Sequence, residues 1–123
     1  MATTLYEDVV PITEYGHEGI SVTFTAATWA AYSLGSGQLI AHFRRSINDA
    51  NPIWQADTDD GTITRPGSYS LKVIIPDSVG EDFIPYRHVH FDFVRVSSGV
   101  YTAIPGSIKW PVRPVYTQKA DIT

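Results

Sequence analysis

The residues with the most chemical potential in this 123-residue chain form one short run, His88-Val89-His90-Phe91-Asp92. In a strand, alternate side chains share a face, so two imidazoles and a carboxylate would stand together. Those groups are the donors of a facial metal site on a small β-barrel enzyme. Spacing weighs against that use: same-face neighbours on a strand lie about 6.5–7 Å apart and need a bend to converge on one ion. The residues that follow, Phe93-Val94-Arg95-Val96, also supply no further carboxylate. A polar outer face, with no metal bound by His88, His90 and Asp92, is the expectation.

Other chemistry is less well supported. Asp57, Asp59 and Asp60 precede Gly61 as part of a calcium loop would, but the grammar of that loop then asks for a Glu six residues on, where Gly67 stands. A solvated turn is expected instead. Glu7, Glu14, Glu18, Glu81, Asp82 and Asp92 show no spacing that marks a glycosidase pair. No Gly-x-Ser-x-Gly elbow and no phosphate-cradling glycine loop occurs. With no cysteine, thiolate chemistry and disulfides are excluded. A net charge of −4 gives no basic field to gather nucleic acid. Trp29, Trp54, Trp110 and seven tyrosines could stack on sugar rings, and a carbohydrate-binding module would expose Trp29 and Trp54 as a pair. Large aromatic rings more often fill cores and interfaces. No catalytic residue and no cofactor is assigned.

The elements that must position these residues are strands. Twelve Ile, eleven Val and twelve Thr stand against four Leu and one Met, and eight Pro and nine Gly punctuate the chain. β-Branched side chains suit the pleated strand and lose freedom in helices. Period-2 alternation marks strands over 19–27, 38–45 and 68–75, the last with Tyr69, Leu71, Val73 and Ile75 on one face. The longest strand is predicted over 85–96, with Val89, Phe91 and Phe93 inward and His88, His90 and Asp92 outward. Shorter strands are predicted over 52–56, 62–64, 100–104 and 107–110. Asp60-Gly61 is the strongest hairpin signal. Residues 28–37 read as a crossing loop with apolar anchors that permits a helical turn, and 76–80 can form one helical turn. Short strands at this spacing predict a single all-β domain, an antiparallel β-sandwich of about seven to eight strands.

The sandwich is expected over 19–110, with an N-terminal arm over 1–18 and an extended C-terminal arm over 111–123. Pro11 and Gly16 interrupt the first arm, and Pro111 and Pro114 the second. Their apolar residues, Tyr6, Val9, Val10, Ile12, Tyr15, Val112, Val115 and Tyr116, are expected to anchor the domain to neighbouring subunits. No apolar run is long enough to span a membrane, and the acidic start MATTLYEDVV does not resemble a secretory signal.

Several stretches resemble a divergent group of small bacteriophage tail and baseplate proteins with an immunoglobulin-like sandwich. Ser33-Leu34-Gly35-Ser36-Gly37-Gln38 running into Leu39–Ser46 is similar to that group's turn into an Arg-ended strand. Asp59-Asp60-Gly61-Thr62-Ile63-Thr64 resembles its Asp-Gly turn, and Tyr86 to Val96 its long strand, with His90 and Asp92 near the usual aromatic and Asp. Ser98-Gly99, then Gly106-Ser107-Ile108-Lys109-Trp110-Pro111 and Val115-Tyr116-Thr117, resemble its closing strand. The resemblance implies an immunoglobulin-like fold and no catalytic residues. It implies a virion structural role in tail, baseplate or fibre attachment, or in head decoration or a collar. The implied partners are other virion proteins and copies of itself, and the implied place is the virion, assembled in the host cytoplasm; a host surface glycan is the partner of the alternative, carbohydrate-binding reading of the aromatic residues.

Overall fold

The computed structural model describes residues 4–6, 10–46 and 48–113. The strands are β1 (Thr4–Tyr6), β2 (His17–Phe24), β3 (Gln38–Phe43), β4 (Trp54–Asp57), β5 (Ile63–Gly67), β6 (Ser70–Ile75), β7 (His88–Phe91), β8 (Phe93–Ser97), β9 (Val100–Ala103) and β10 (Ile108–Pro111). Two short helices, α1 (Ala26–Ala31) and α2 (Asp77–Phe83), join them. One sheet has the order β1-β2-β6-β5 and the other β4-β3-β8-β9, all antiparallel. That is the A-B-E-D and C′-C-F-G strand order of the immunoglobulin sandwich.

The long strand forms with one interruption. Arg44 and His90 exchange both backbone hydrogen bonds, at 2.8 and 2.6 Å, in the register that β3 keeps with β8. β7 therefore continues β8 along β3, and β10 pairs with β7 on the other side. The break falls at Asp92 because the opposing strand has two extra residues there. Between Val94↔Ala103 and Phe91↔Ile108, the segment 104–107 lies opposite Asp92 and Phe93 alone. Pro105 lacks a ladder donor and Gly106 takes φ 108°, so the excess is accommodated as a bulge.

Asp60-Gly61 is a turn but does not close a hairpin. β4 pairs with β3 and β5 with β6, so this turn carries the chain from one sheet to the other. Its local chemistry is as predicted: Asp60 Oδ1 accepts from Thr62 N at 2.9 Å, Asp57 Oδ1 from Asp59 N at 2.9 Å, and Gly61 has φ 83°. Turn residues specify a bend; which strands then pair is decided by the faces that must be buried. Tyr69 likewise leaves the inward row predicted for it. It sits at φ 59° in the tight turn between Gly67 and Ser70 and is exposed.

The core lies between the sheets. Leu39, Ala41 and Phe43 of β3, Val89, Phe91 and Phe93 of the long strand, and Ile20, Val22, Leu71 and Val73 opposite are all buried. Phe43 stacks on Phe91 with ring centroids 4.4 Å apart and on Phe83 of α2 at 5.7 Å. α2 thus closes one end of the sandwich.

Residues 10–18 are part of the sandwich, which corrects the expected arm that anchors the domain to neighbouring subunits over that stretch. Ile12 forms a parallel bridge to Val112: Ile12 N donates to Pro111 O at 3.0 Å, and Arg113 N to Ile12 O at 2.9 Å. Pro111 has no N–H to give, but here only its carbonyl is needed. Ile12 and Val112 are both buried in this chain's own core. Trp110 Nε1 donates to Val10 O at 2.8 Å. Gly16, at φ 79°, and Gly80 let the 13–16 turn approach α2 more closely than a Cβ would permit.

Candidate functional site

The outer face of the β4-β3-β8-β9 sheet, extended by the β7–β10 ladder, gathers Asp57, His88, His90 and Asp92 of the polar residues singled out above. Alternation sets it: with Leu39, Ala41 and Phe43 inward, Gln38, Ile40, His42 and Arg44 point outward. Val94 and Val96 of β8 continue that surface, Val94 opposite Ile40. Tyr101 of β9 faces Val96, and Ala103 faces Val94.

The face has two halves. Toward β9 it is apolar, with Ile40, Val94 and Val96 half-buried and Tyr101 73% exposed. β9 is an edge strand, and Val100 at its start is 63% exposed. At the other end the face is cationic. Arg44 lies directly opposite His90, and His90 directly opposite Lys109. Arg45, Arg87 and His88 surround this row, and a shallow depression there is lined by Arg45, Asp49, Tyr86, Arg87, His88 and Lys109.

Hydrogen bonds fix the middle of the face. His42 Nε2 lies 2.8 Å from Gln55 Oε1, and an Arg44 guanidinium nitrogen 3.4 Å from His42 Nδ1. A guanidinium only donates, so Nδ1 accepts and the Nε2 proton goes to Gln55. Arg44 Nε also donates to Asp49 O at 2.8 Å, and Arg45 forms an ion pair with Asp49 at 2.6 Å. At the opposite end, Gln38 Nε2 donates to both Asp57 oxygens, at 3.0 and 2.9 Å.

His88, His90 and Asp92 do lie on the outer face. Among the described residues, however, no three His, Asp or Glu side chains are placed to hold a metal. His90 instead separates two cationic side chains. Asp57, Asp59 and Asp60 form the solvated turn. The tryptophans do not pair as a sugar platform. Trp29 is half-buried beside Phe24 and Tyr69, Trp54 is half-buried beside Phe43, and Trp110 is buried. The exposed Trp29–Trp54 pair that a carbohydrate-binding module would need is not formed; each packs against the core at a different place.

The expected anchors divide in the same way. Ile12 and Val112 are withdrawn as contacts to neighbours because they fill this domain's core. Tyr15 is half-buried, its N–H bonded to Thr13 Oγ1 at 3.1 Å. Val10 is 55% exposed, with its carbonyl engaged by both Trp110 and His17. Tyr6 lies in β1, its backbone opposite Val22. Val9, Val115 and Tyr116 fall outside the described residues.

Burial is the largest influence on His17 and lowers its pKa below 6.5; its hydrogen bond to Val10 and the nearby Glu18 oppose that shift. Its Nδ1 accepts from Gly19 N at 3.1 Å, so the neutral ring with its proton on Nε2 satisfies both contacts.

Tyr101 and the Arg44–His90–Lys109 row were not singled out from sequence. Tyr101 carried a signal, as the central aromatic of an uncharged return strand. The row emerges only when the register of three strands is known.

No family model matches the chain, and neither a curated protein nor a solved structure matches it.

Proposed function

We propose that this chain is a structural module of a bacteriophage particle, in the tail, baseplate or fibre-attachment region. It acts by protein–protein contact in a multi-copy assembly rather than by catalysis. One observation carries the contact role: the open edge and outer face at β9. Two of the other edges are blunted. β5 carries Arg65 and Pro66, and the last strand is flanked by the Ile12 bridge. β9 presents Val100-Tyr101-Thr102-Ala103, with no charge and no proline, and two of its large side chains are more than half exposed. Such an edge invites another strand, and an exposed tyrosine beside it is a frequent interface anchor. The phage assignment rests on the sequence resemblance. Mass spectrometry of purified virions from cells that produce the protein tests the proposal. A fixed stoichiometry relative to the other particle proteins supports it; recovery only in the particle-free lysate refutes it.

A further inference from the structure

We propose that copies of this chain associate head to tail, the cationic row of one sandwich receiving the Asp57–Asp60 turn of the next. This rests on the multi-copy reading above and names the contact that would build the assembly.

The row concentrates cations at one end of the face. Arg44 and Lys109 lie on either side of His90, about 9.5 Å apart across two strand spacings, and Arg87 adds a further cation beside them. The chain carries a net charge of −4, yet no ion pair between described residues engages Arg87 or Lys109. Asp49 is already committed to Arg45. Asp92 shares the depression beside Arg44 and His90, which leaves Arg87 and Lys109 as the cations open to a partner.

The same sheet supplies the complement at its other end. Asp57 stands opposite Ile40 and bonds to Gln38, and Asp59 and Asp60 follow it, both exposed. Asp57 and Asp60 are tied into the turn, whereas no hydrogen bond or ion pair between described residues holds the Asp59 carboxylate. From Gln38 to Arg44 along β3 is about 20 Å at about 3.4 Å per residue. Screening acts over ~8 Å at physiological salt, so the two ends cannot neutralise each other within one copy. They can do so between copies. Asp82 is a poorer donor of charge to a neighbour, because it borders the same corner as Arg45 and Asp49. A contact between two different patches is heterologous and propagates to a ring or a filament.

Sedimentation velocity of the full chain at about 0.02 M and about 0.5 M salt, on either side of physiological screening, tests this. The expected result is association at low salt and monomer at high salt. Asp59→Lys and the double variant Arg87→Glu/Lys109→Glu should each weaken self-association at least tenfold. Mixing the two should restore association in alternation, since the wild-type row of the first meets the wild-type turn of the second and the reversed turn of the first meets the reversed row of the second. A monomeric wild type at low salt, or variants that associate as wild type does, overturns the proposal. So does a monomeric wild type whose Arg87 and Lys109 instead bind heparin, which would make the occupant a soluble polyanion. None of these outcomes bears on whether the chain is present in virions, which the particle measurement decides separately.

Discussion

Replacing Ile12 by Ala tests whether the segment before β2 is structural. Ile12 is fully buried and the only atoms removed are side-chain carbons, because both of its backbone bonds to the last strand survive in alanine. Truncating a buried Ile to Ala costs about 2–5 kcal/mol, the lost transfer energy plus the cavity left behind. A chain of 123 residues unfolds with an entropy of roughly 0.26 kcal/mol/K, so a loss of about 3 kcal/mol lowers Tm by about 12 °C. Against a usual stability of about 5–15 kcal/mol, that is a large fraction. Val10→Ala, two residues earlier at a site 55% exposed, keeps the carbonyl that Trp110 uses and should stay within about 0.5 kcal/mol of wild type. Urea unfolding of the two variants, followed by tryptophan fluorescence, measures the difference through the midpoint at constant slope. If Ile12→Ala is no less stable than Val10→Ala, the segment is a free arm and the corrected boundary is wrong.

Three further perturbations follow from the same packing. His17 has a lowered folded pKa, so its contribution to stability is fully present above pH 6.5 and is lost as pH falls toward the folded value. His17→Gln should flatten that part of the stability–pH curve below pH 6.5, measured by denaturant midpoints; an unchanged slope refutes the assignment. In Gly80→Ala the new Cβ would lie 2.6 Å from Gly16 N and against the Thr13 carbonyl, forcing α2 outward at a cost of about 1–3 kcal/mol. A thermal melt matching wild type would contradict that close approach. Arg65 donates to Leu34 O and Gly37 O, both at 2.7 Å, and Arg95 of the opposite sheet grips Ser33 O and Ser36 O of the same loop. Arg65→Ala should therefore cost about 1–3 kcal/mol and speed amide exchange in residues 33–37, and unchanged exchange there would rule out the clamp.

Much of the sandwich was legible because alternation is a local signal. Leu39-Ala41-Phe43 and Val89-Phe91-Phe93 declare their faces without reference to a partner strand. What failed was whatever depends on pairing. Asp60-Gly61 has sound turn chemistry, but its flanking strands belong to different sheets. Pro11 and Pro111 suggested arms outside the sandwich, yet the Ile12–Val112 bridge needs only donors and acceptors that those prolines leave intact. The break at Asp92 came from two surplus residues on another strand. For the site, sequence placed His88, His90 and Asp92 on one face but could not show that Arg44 and Lys109 are the neighbours of His90. Cross-strand register, not residue type, sets Arg44 and Lys109 beside His90.

The proposed contact presents the β9 side of the outer face to another protein. A photo-crosslinking amino acid in place of Tyr101, compared with one in place of Lys72 on the opposite sheet, tests it inside assembled particles. Adducts to a particle protein at position 101 and few or none at 72 are the predicted result. Adducts at 72 alone, or at neither position in particles that contain the protein, would contradict it.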